Sequence, residues 1–249
     1  MEILNEDGRL VKRLPLFWSV IRQFLMADAT DGSKNLLVGG WPNGANDLTT
    51  INSKNIAETG RGFDRVPAGY SFVGGFMTMN RYDNFLADLN GDGKKEIVSA
   101  INGSWNRITI YNQQGEPLYN QQIGPGVSTP RANLRMMDVG DIDQNGKPEI
   151  IAGLSSGFIV AFDGKLKKQW AKELSSPPVV LKIVKSPSGN WICVGCGDGT
   201  VLAMDEQGRI IRRGKIPGYP VDLQIVDNSG ETLAVMTSDT GEVRGYRAD

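Results

Sequence analysis

Residues 139–153 read VGDIDQNGKPEIIAG, and an earlier stretch, residues 87–97, reads ADLNGDGKKEI. Both contain the pattern D-x-[DN]-x-[DN]-G-x-x-E, which leads into apolar residues. The glycine at the sixth position of the pattern permits the backbone conformation that a sharp turn needs. The apolar residues after it are typical of a buried strand. Each stretch therefore predicts an acidic turn followed by a β-strand.

The same unit recurs along the chain. Five turn glycines are each followed by a predicted strand, at intervals of 61, 53, 43 and 41 residues: Gly32, Gly93, Gly146, Gly189 and Gly230. A second turn comes later in each unit, and the alternating apolar and polar residues around it indicate a β-hairpin. Each unit therefore predicts four strands, A to D. A repeated four-stranded unit of about 40–50 residues is typical of a propeller blade.

The predicted fold class is all-β, a β-propeller of about five four-stranded blades in one domain of residues 1–249. The predicted blades cover residues 17–66, 67–125, 126–174, 175–216, and 217–249 together with 1–16. The last unit stops before a strand D, whereas residues 5–14 match a turn followed by strand D. We therefore expect the N-terminal strand to complete the final blade. Residues 2–7 and 243–249 both resemble strand C, so a fragment of a larger propeller is the alternative.

Composition argues against several classes of function. The net charge is −1, with no long run of Lys or Arg, so binding of nucleic acid or an anionic membrane has no electrostatic support. No apolar run approaches about 18 residues, so no membrane span is predicted. The chain has no histidine, the commonest general base and zinc ligand. Cys193 and Cys196 point to opposite faces of a predicted strand, which favours two buried thiols over a disulfide or metal site.

The two acidic turns are candidate Ca²⁺ sites. Oxygen atoms at positions 1, 3 and 5, the carbonyl of position 7 and an acid at position 9 can complete the shell of hard ligands that Ca²⁺ prefers. The candidate ligands are Asp88, Asn90, Asp92, Lys94 and Glu96 in blade two, and Asp141, Asp143, Asn145, Lys147 and Glu149 in blade three. The alternative is that Asp and Asn only cap tight turns through hydrogen bonds to the backbone. We predict Ca²⁺ as a structural cofactor that fixes the A–B loop.

Residues 87–97 and 139–153 resemble the FG-GAP or VCBS-type repeat propellers, the superfamily that includes the head of integrin α-subunits. The resemblance implies Ca²⁺ at eight of these positions: Asp88, Asn90, Asp92, Glu96, Asp141, Asp143, Asn145 and Glu149. It also implies an extracellular or cell-surface role in adhesion or carbohydrate binding, or service as a module of a longer secreted protein with other domains. Family members often have six to eight blades, so a count of five departs from the family.

A ligand is expected on the rim opposite the acidic turns, because the B–C and D–A loops share one rim of a propeller and loops on a rigid scaffold commonly bind ligands. The candidates combine aromatic, amide and charged side chains: Trp41, Asn43, Asn102, Trp105, Asp198 and Asp239 in B–C loops, and Tyr70 and Arg131 in D–A loops. Exposed aromatic rings beside amides and carboxylates suit sugars and the hot spots of protein interfaces.

Three functions follow from these features. A non-catalytic binding propeller for a glycan or protein ligand is the preferred hypothesis. A polysaccharide lyase or glycosidase is the alternative, although a glycosidase would need a suitably spaced pair of rim carboxylates. The third hypothesis is a purely structural segment of a larger assembly.

Overall fold

The computed structural model describes residues 2–13, 19–28, 34–42, 48–52, 71–72, 81–101, 106–112, 117–123, 133–187, 189–228 and 231–247. These residues form 21 β-strands, which are arranged in six sheets. The described part of the chain includes no helix that is long and apolar enough to cross a membrane. The predicted all-β class is confirmed.

The N-terminal residues form a hairpin of two antiparallel strands, β1 (Glu2–Leu4) and β2 (Leu10–Arg13). Its turn is held by the side chain of Asn5, whose Oδ1 accepts hydrogen bonds from the backbone N–H groups of Asp7 at 3.1 Å and Arg9 at 2.8 Å. An ion pair between Arg13 and Glu2, at 2.6 Å, joins the two strands at the open end. The hairpin therefore satisfies these polar groups locally.

The next four sheets each contain four strands that are neighbours in chain order. The first two comprise β3 (Ser19–Asp28), β4 (Lys34–Pro42), β5 (Leu48–Asn52) and β6 (Ser71–Phe72), then β7 (Arg81–Ala87), β8 (Glu96–Ile101), β9 (Arg107–Tyr111) and β10 (Pro117–Gln122). The other two comprise β11 (Leu134–Gly140), β12 (Glu149–Leu154), β13 (Phe158–Phe162) and β14 (Lys168–Glu173), then β15 (Pro178–Val184), β16 (Trp191–Cys196), β17 (Thr200–Met204) and β18 (Ile210–Lys215). The four-stranded unit predicted from the repeat is confirmed in these sheets.

The last sheet contains three strands, β19 (Pro220–Asn228), β20 (Glu231–Ser238) and β21 (Val243–Tyr246). We expected the N-terminal strand to supply its fourth strand. Among the described strands β2 pairs with β1, and completion of the last sheet by the N-terminal strand stays a prediction. The turn and the ion pair of the N-terminal hairpin explain how β1 and β2 form a sheet of their own.

The chain divides into two compact units. The first comprises Met1–Leu86, Lys95–Trp105 and Thr109–Asn120, and the second comprises Ala87–Lys94, Asn106–Ile108 and Gln121–Asp249. The first unit buries apolar residues of β8 and β9. It also buries a polar pair, in which the hydroxyl of Ser99 donates to Oδ1 of Asn84 at 2.6 Å.

In the second unit, β16 is buried on both faces and joins two apolar clusters. Ile192, Val194 and Cys196 belong to the cluster that also includes residues of β12, β13 and β15. Trp191 and Cys193 belong to the other cluster, which includes residues of β17, β19 and β20. The alternation along β16 is the period of two that a strand imposes. Both cysteines are free and buried, as predicted, and burial raises the pKa of Cys193 to about 12.

Polar side chains also connect consecutive sheets of the second unit. Asp138 on β11 is buried, and its Oδ2 accepts a hydrogen bond of 2.7 Å from the backbone N–H of Ile183 on β15. Trp170 on β14 donates from Nε1 to the carbonyl of Glu206 at 2.7 Å. A Cβ added to Gly208 would lie 2.7 Å from the ring of Trp170. Glycine is therefore needed where the ring rests on the following turn.

The bond from Ile183 to Asp138 makes a prediction for stability. In the Asp138→Leu variant the buried N–H of Ile183 would lose its acceptor, which costs about 1–3 kcal/mol of unfolding free energy. Urea denaturation followed by circular dichroism measures this cost. The Asp222→Leu variant is the control, because Asp222 is exposed and accepts only from its neighbours Leu223 and Gln224. Equal costs for the two variants would contradict the role given to Asp138.

Candidate functional site

The blade-three acidic turn connects β11 to β12 and is shaped by its own side chains. Oδ1 of Asp141 accepts from the N–H of Asn145 at 2.9 Å, and Oδ2 accepts from the N–H of Gly146 at 2.8 Å. Asp143 also accepts from the N–H of Asn145, at 3.1 Å. Gly146 has a φ of 85°, as the sharp turn requires. The turn is therefore folded by the hydrogen bonds that the capping interpretation predicted.

Beyond capping, the turn gathers three carboxylates. One oxygen each from Asp141, Asp143 and Glu149 lies within 4.8 Å of the other two, and no other acidic, cysteine or histidine group of the described residues forms such a cluster. Glu149 is half-buried and accepts from the N–H of Ile142 at 3.0 Å. Three carboxylates with only oxygen donors fit a hard divalent cation such as Ca²⁺.

Burial and the neighbouring carboxylates make the ionised form of Glu149 unfavourable. Burial raises the pKa of Glu149 to about 7, against a lowering effect of the hydrogen bond from Ile142, and the negative charges of Asp143 and Asp141 raise it further. The two nearby negative charges therefore disfavour ionisation of Glu149. A bound cation would reverse that preference.

The other two predicted ligands of this turn, Asn145 and Lys147, take part in hydrogen bonds within the turn. Oδ1 of Asn145 accepts from the N–H of Lys147 at 2.8 Å, and Nδ2 of Asn145 donates to Asp143 at 2.8 Å. The amide oxygen of Asn145 is thus already engaged within the turn. The backbone of Lys147 is tied to this turn by the same bond. The three carboxylates are therefore the stronger ligands of the predicted set.

Two features of the site escaped the sequence analysis. Asn190, from the turn before β16, donates from Nδ2 to the backbone carbonyl of Asp141 at 2.6 Å, so the following sheet supports the acidic turn. Gln144 has a φ of 61°, and Gly91 at the matching position of blade two has a φ of 80°. The fourth position of the pattern therefore adopts a left-handed conformation as well as the sixth. Gly91, at the fourth position of the pattern in blade two, is the sequence feature that could have indicated this left-handed conformation.

The blade-two turn has the same backbone fold. Oδ1 of Asp88 accepts from the N–H groups of Gly91 at 2.7 Å and Asp92 at 3.1 Å, and Oδ2 accepts from Gly93 at 2.8 Å. Asn90 accepts from the N–H of Asp92, and Asp92 accepts from that of Lys94. Although desolvation opposes it, these N–H donors hold the pKa of Asp88 below its usual value. Glu96, the ninth residue of the pattern, is buried.

On the predicted ligand rim, the structure brings Asp198 and Asp239 into turns that they themselves stabilise. Asp198 accepts from the N–H and the hydroxyl of Thr200, both at 2.9 Å. Those bonds, first the backbone one, hold the pKa of Asp198 below its usual value. Asp239 accepts from the N–H of Tyr219 at 2.7 Å, while its own N–H donates to the carbonyl of Tyr219 at 2.9 Å. Tyr219 itself is 47% exposed.

The remaining rim candidates lie outside the described residues. They are Asn43, Tyr70, Asn102, Trp105 and Arg131, together with the side chain of Trp41, whose backbone belongs to β4. Their contribution to a binding surface stays a prediction. The described part of the rim shows a B–C loop and a D–A loop joined by hydrogen bonds between Asp239 and Tyr219. The two kinds of loop do share one side of the last sheet.

Comparison with known proteins agrees with this architecture. The FG-GAP-like repeat family matches residues 88–152, which contain both acidic turns. A search of curated proteins found no match. Among solved structures, BBS1N in complex with ARL6DN is similar at 15% identity, with a TM-score of 0.66 over 96% of this chain and 69% of that chain. Sqt1 of Saccharomyces cerevisiae is similar at 12% identity, with a TM-score of 0.66 over 98% of this chain and 65% of that chain.

A third similar structure is the Pan2 WD40 domain of Neurospora crassa, at 12% identity, with a TM-score of 0.57 over 92% of this chain and 60% of that chain. At such identities the likeness shows the fold alone, and these neighbours are β-propellers. The resemblance predicted from the two acidic turns is confirmed by the family match. The chain therefore has a β-propeller fold and carries FG-GAP-like repeat sequence at residues 88–152.

Proposed function

We propose that this chain is a non-catalytic binding propeller that Ca²⁺ stabilises and that binds a protein partner through its B–C and D–A loops. The observation that carries the proposal is the convergence of Asp141, Asp143 and Glu149 in one turn. The fold supports a binding or scaffolding role, because propellers present loops on a rigid framework. The extracellular setting implied by the resemblance is part of the proposal.

The metal half of the proposal rests on charge. Three carboxylates with half-buried Glu149 among them repel one another, and a divalent cation would turn that repulsion into attraction. The cation would tie the end of β11 to the start of β12. The turn also contacts the following sheet, because the side chain of Asn190 donates a hydrogen bond to the carbonyl of Asp141. Ca²⁺ would therefore act as a structural clamp within the propeller.

The binding half rests on the chemistry of the rim. A general acid needs a raised pKa, whereas the pKa of Asp198 is lowered, and Asp239 serves as a cap for the loop at Tyr219. Tyr219 and Val221 are 47% and 55% exposed beside these turns, and exposed aromatic and apolar side chains suit a protein interface. The similar BBS1N structure was solved with a protein partner. A glycan ligand depends on Trp41, Trp105 and Tyr70 and stays the alternative.

Removal of Ca²⁺ tests the metal half. For an extracellular-type site with a dissociation constant near 10⁻⁴ M, 10 mM Ca²⁺ adds about 2.7 kcal/mol of stability, which raises the melting temperature by roughly 5–10 °C. Differential scanning calorimetry with Ca²⁺ and with EGTA measures the shift. The Asp143→Asn variant should lose most of it, because one converging carboxylate becomes neutral.

Asp163→Asn is the matched control, because Asp163 caps the turn between β13 and β14 with bonds to Lys165 and Lys167 and lies outside the carboxylate cluster. This variant should keep the full Ca²⁺ shift. Identical melting curves of the parent protein in Ca²⁺ and EGTA would refute the metal site. A shift of the same size in Asp143→Asn would place the ion elsewhere.

The raised pKa of Glu149 predicts how stability depends on pH in EGTA. The folded protein holds the proton of Glu149 up to about pH 7, whereas the ordinary value is 4.5. The stabilisation from Glu149 is therefore fully present below about pH 4.5 and is lost as the pH rises through about 7. Urea melts across this window should show falling stability in the parent protein and a smaller fall in Glu149→Gln. A fall of equal size in both proteins would assign the effect to other groups.

A photo-crosslinking residue at position 219 tests the binding half. Benzoylphenylalanine in place of Tyr219 should form protein adducts when the chain is incubated with an extract of its own source. Tyr119 on β10 is the control position, because its side chain is also exposed (39%) but lies on an outer strand. Adducts of equal yield at both positions, or at neither, would contradict a partner on this rim. A glycan array with the unmodified chain shows whether sugars bind instead.

A further inference from the structure

Tyr219 is an exposed aromatic residue whose backbone is held in place by a neighbouring loop. Its N–H donates to Oδ1 of Asp239 at 2.7 Å, and its carbonyl accepts from the N–H of Asp239 at 2.9 Å. The hydroxyl of Thr240 donates to the carbonyl of Pro217 at 3.0 Å. Gly218 has a φ of 83°, and a Cβ added there would collide with the Asp239 carboxylate. The B–C loop therefore fixes the backbone that carries Tyr219.

The ring of Tyr219 is fixed as well, because it lies against the preceding sheet. A Cβ added to Gly197 would lie 3.3 Å from Cε2 of Tyr219, so the glycine gives the ring room. The same point is 3.7 Å from Cγ1 of Val179, which is half-buried. Tyr219 is nevertheless 47% exposed. One side of the ring therefore packs on Gly197 and Val179, and the rest is open to solvent.

Strand bulges place apolar side chains beside this ring. Pro220 and Asp222 of β19 have partners on β20, whereas Val221 between them has none. The pairing of β15 with β16 skips Val179 in the same way. A bulge takes the extra residue out of the ladder and re-aims its side chain. Val221 is accordingly 55% exposed. We call Tyr219, Val221 and Val179 the tyrosine platform.

The preceding sheets show that this platform is built on a repeated support. In the blade-three sheet, the N–H of Asn133 donates to Oγ of Ser155 at 3.0 Å, and its carbonyl accepts from the N–H of Ser155 at 2.8 Å. In the next sheet, the carbonyl of Pro177 accepts from the N–H of Gly197 at 2.9 Å. Asn133, Pro177 and Tyr219 thus hold equivalent positions, and Tyr219 is the aromatic residue among them. The support belongs to the repeat, whereas the aromatic surface belongs to the last sheet.

The charges around the tyrosine platform are mainly negative. Three exposed aspartates border it, namely Asp198, Asp222 and Asp239. Asp198 is next to the glycine under the ring, and Asp222 is next to Val221. Lys215, whose Nζ lies 3.9 Å from Oδ2 of Asp198, offsets one of these charges. An aromatic face also attracts a cation. The ring and the carboxylates therefore favour the same kind of ligand, a positively charged one.

We propose that the tyrosine platform binds an arginine of the protein partner, with the guanidinium group over the open side of the Tyr219 ring and the apolar neighbours of that arginine on Val221 and Val179. Arginine suits this surface better than lysine, because its planar guanidinium group stacks on aromatic rings and is more weakly hydrated. The aspartates attract the same group by charge. The inference rests on the proposed function, because it specifies the chemistry of the partner at that same rim.

Charge and rigidity favour this occupant over a sugar. A neutral sugar also packs on an aromatic ring, but it gains no attraction from the excess of carboxylates over the one lysine. A ring that is already fixed in the free protein loses little freedom on binding, so more of the contact energy appears as affinity. Tyrosine and arginine are also the residues that commonly dominate protein interfaces.

The probe for this site is a fluorescein-labelled peptide of three Leu-Arg-Gly repeats. Fluorescence anisotropy with the full chain should show saturable binding below about 1 mM, and binding should weaken in about 0.5 M NaCl because salt screens the attraction to the aspartates. The matched peptide has citrulline in place of arginine, which keeps the shape of the side chain and removes its charge. It should bind at least about fivefold more weakly. A lysine peptide should have an intermediate affinity.

Variants at position 219 test the ring. Tyr219→Leu keeps an apolar side chain on Gly197 but has no aromatic face. It should bind the arginine peptide about two- to fivefold more weakly than Tyr219→Phe, which keeps the ring. Tyr119→Leu is the matched control, because Tyr119 is 39% exposed on the outer strand β10. This control should bind the arginine peptide like the parent protein.

The aspartates can be neutralised without loss of the loop hydrogen bonds. Asp198→Asn with Asp239→Asn removes two charges, and each amide oxygen can still accept the backbone bond that the carboxylate accepts. The affinity for the arginine peptide should fall at least about threefold, with a smaller dependence on salt. Asp163→Asn is the control, because Asp163 caps the turn between β13 and β14, and it should leave the affinity unchanged.

Three results would overturn the inference. They are no binding of the arginine peptide at about 1 mM, equal binding of the arginine and citrulline peptides, and equal affinity of Tyr219→Leu and Tyr219→Phe. Crosslinked protein adducts at position 219 together with any of these results would leave the protein partner in place and refute its proposed chemistry. Absence of adducts together with binding on the glycan array would refute the protein partner itself.

Discussion

Burial of both faces of a short sheet is the constraint on which the second unit depends. β16 has six residues, and all of them are buried, three in one apolar cluster and two in the other. A single sheet cannot cover two apolar faces by itself, so each sheet requires neighbours on both sides. Repetition of the unit is the way to meet this requirement. The sheets of this unit position the blade-three acidic turn and the loops at Asp198 and Asp239.

Polar groups then fix how consecutive sheets meet. Asp138 accepts a backbone N–H from the next sheet, and Trp170 rests on the next turn and donates to its backbone. Asn106, buried between the ends of β10 and β11, donates to the carbonyl of Ile123 at 2.5 Å and accepts from the N–H of Leu134 at 2.6 Å. Buried bonds of this kind specify one arrangement, because a slipped sheet would leave a buried donor without an acceptor.

The sequence was informative where local chemistry determines structure. Period-two alternation and turn glycines predicted the four-stranded unit, and the spacing of Asp141, Asp143 and Glu149 predicted their convergence. Contacts between sheets could not be predicted in this way. Asn190 supports the acidic turn from 49 residues away along the chain, and no periodicity marks it. Asp239 caps the loop at Tyr219, a contact that composition does not reveal, and its role as a ligand contact stays a prediction.

The two thiols of β16 have a consequence of their own. Cys193 belongs to the cluster shared with the last sheet, and Cys196 belongs to the cluster shared with the preceding one. Both are 1% exposed or less, so a thiol reagent reaches either one only after the interface that covers it opens. Alkylation of the two sites, resolved by mass spectrometry, would time the separation of each pair of sheets independently. The chain thus contains one native reporter for each side of the same blade.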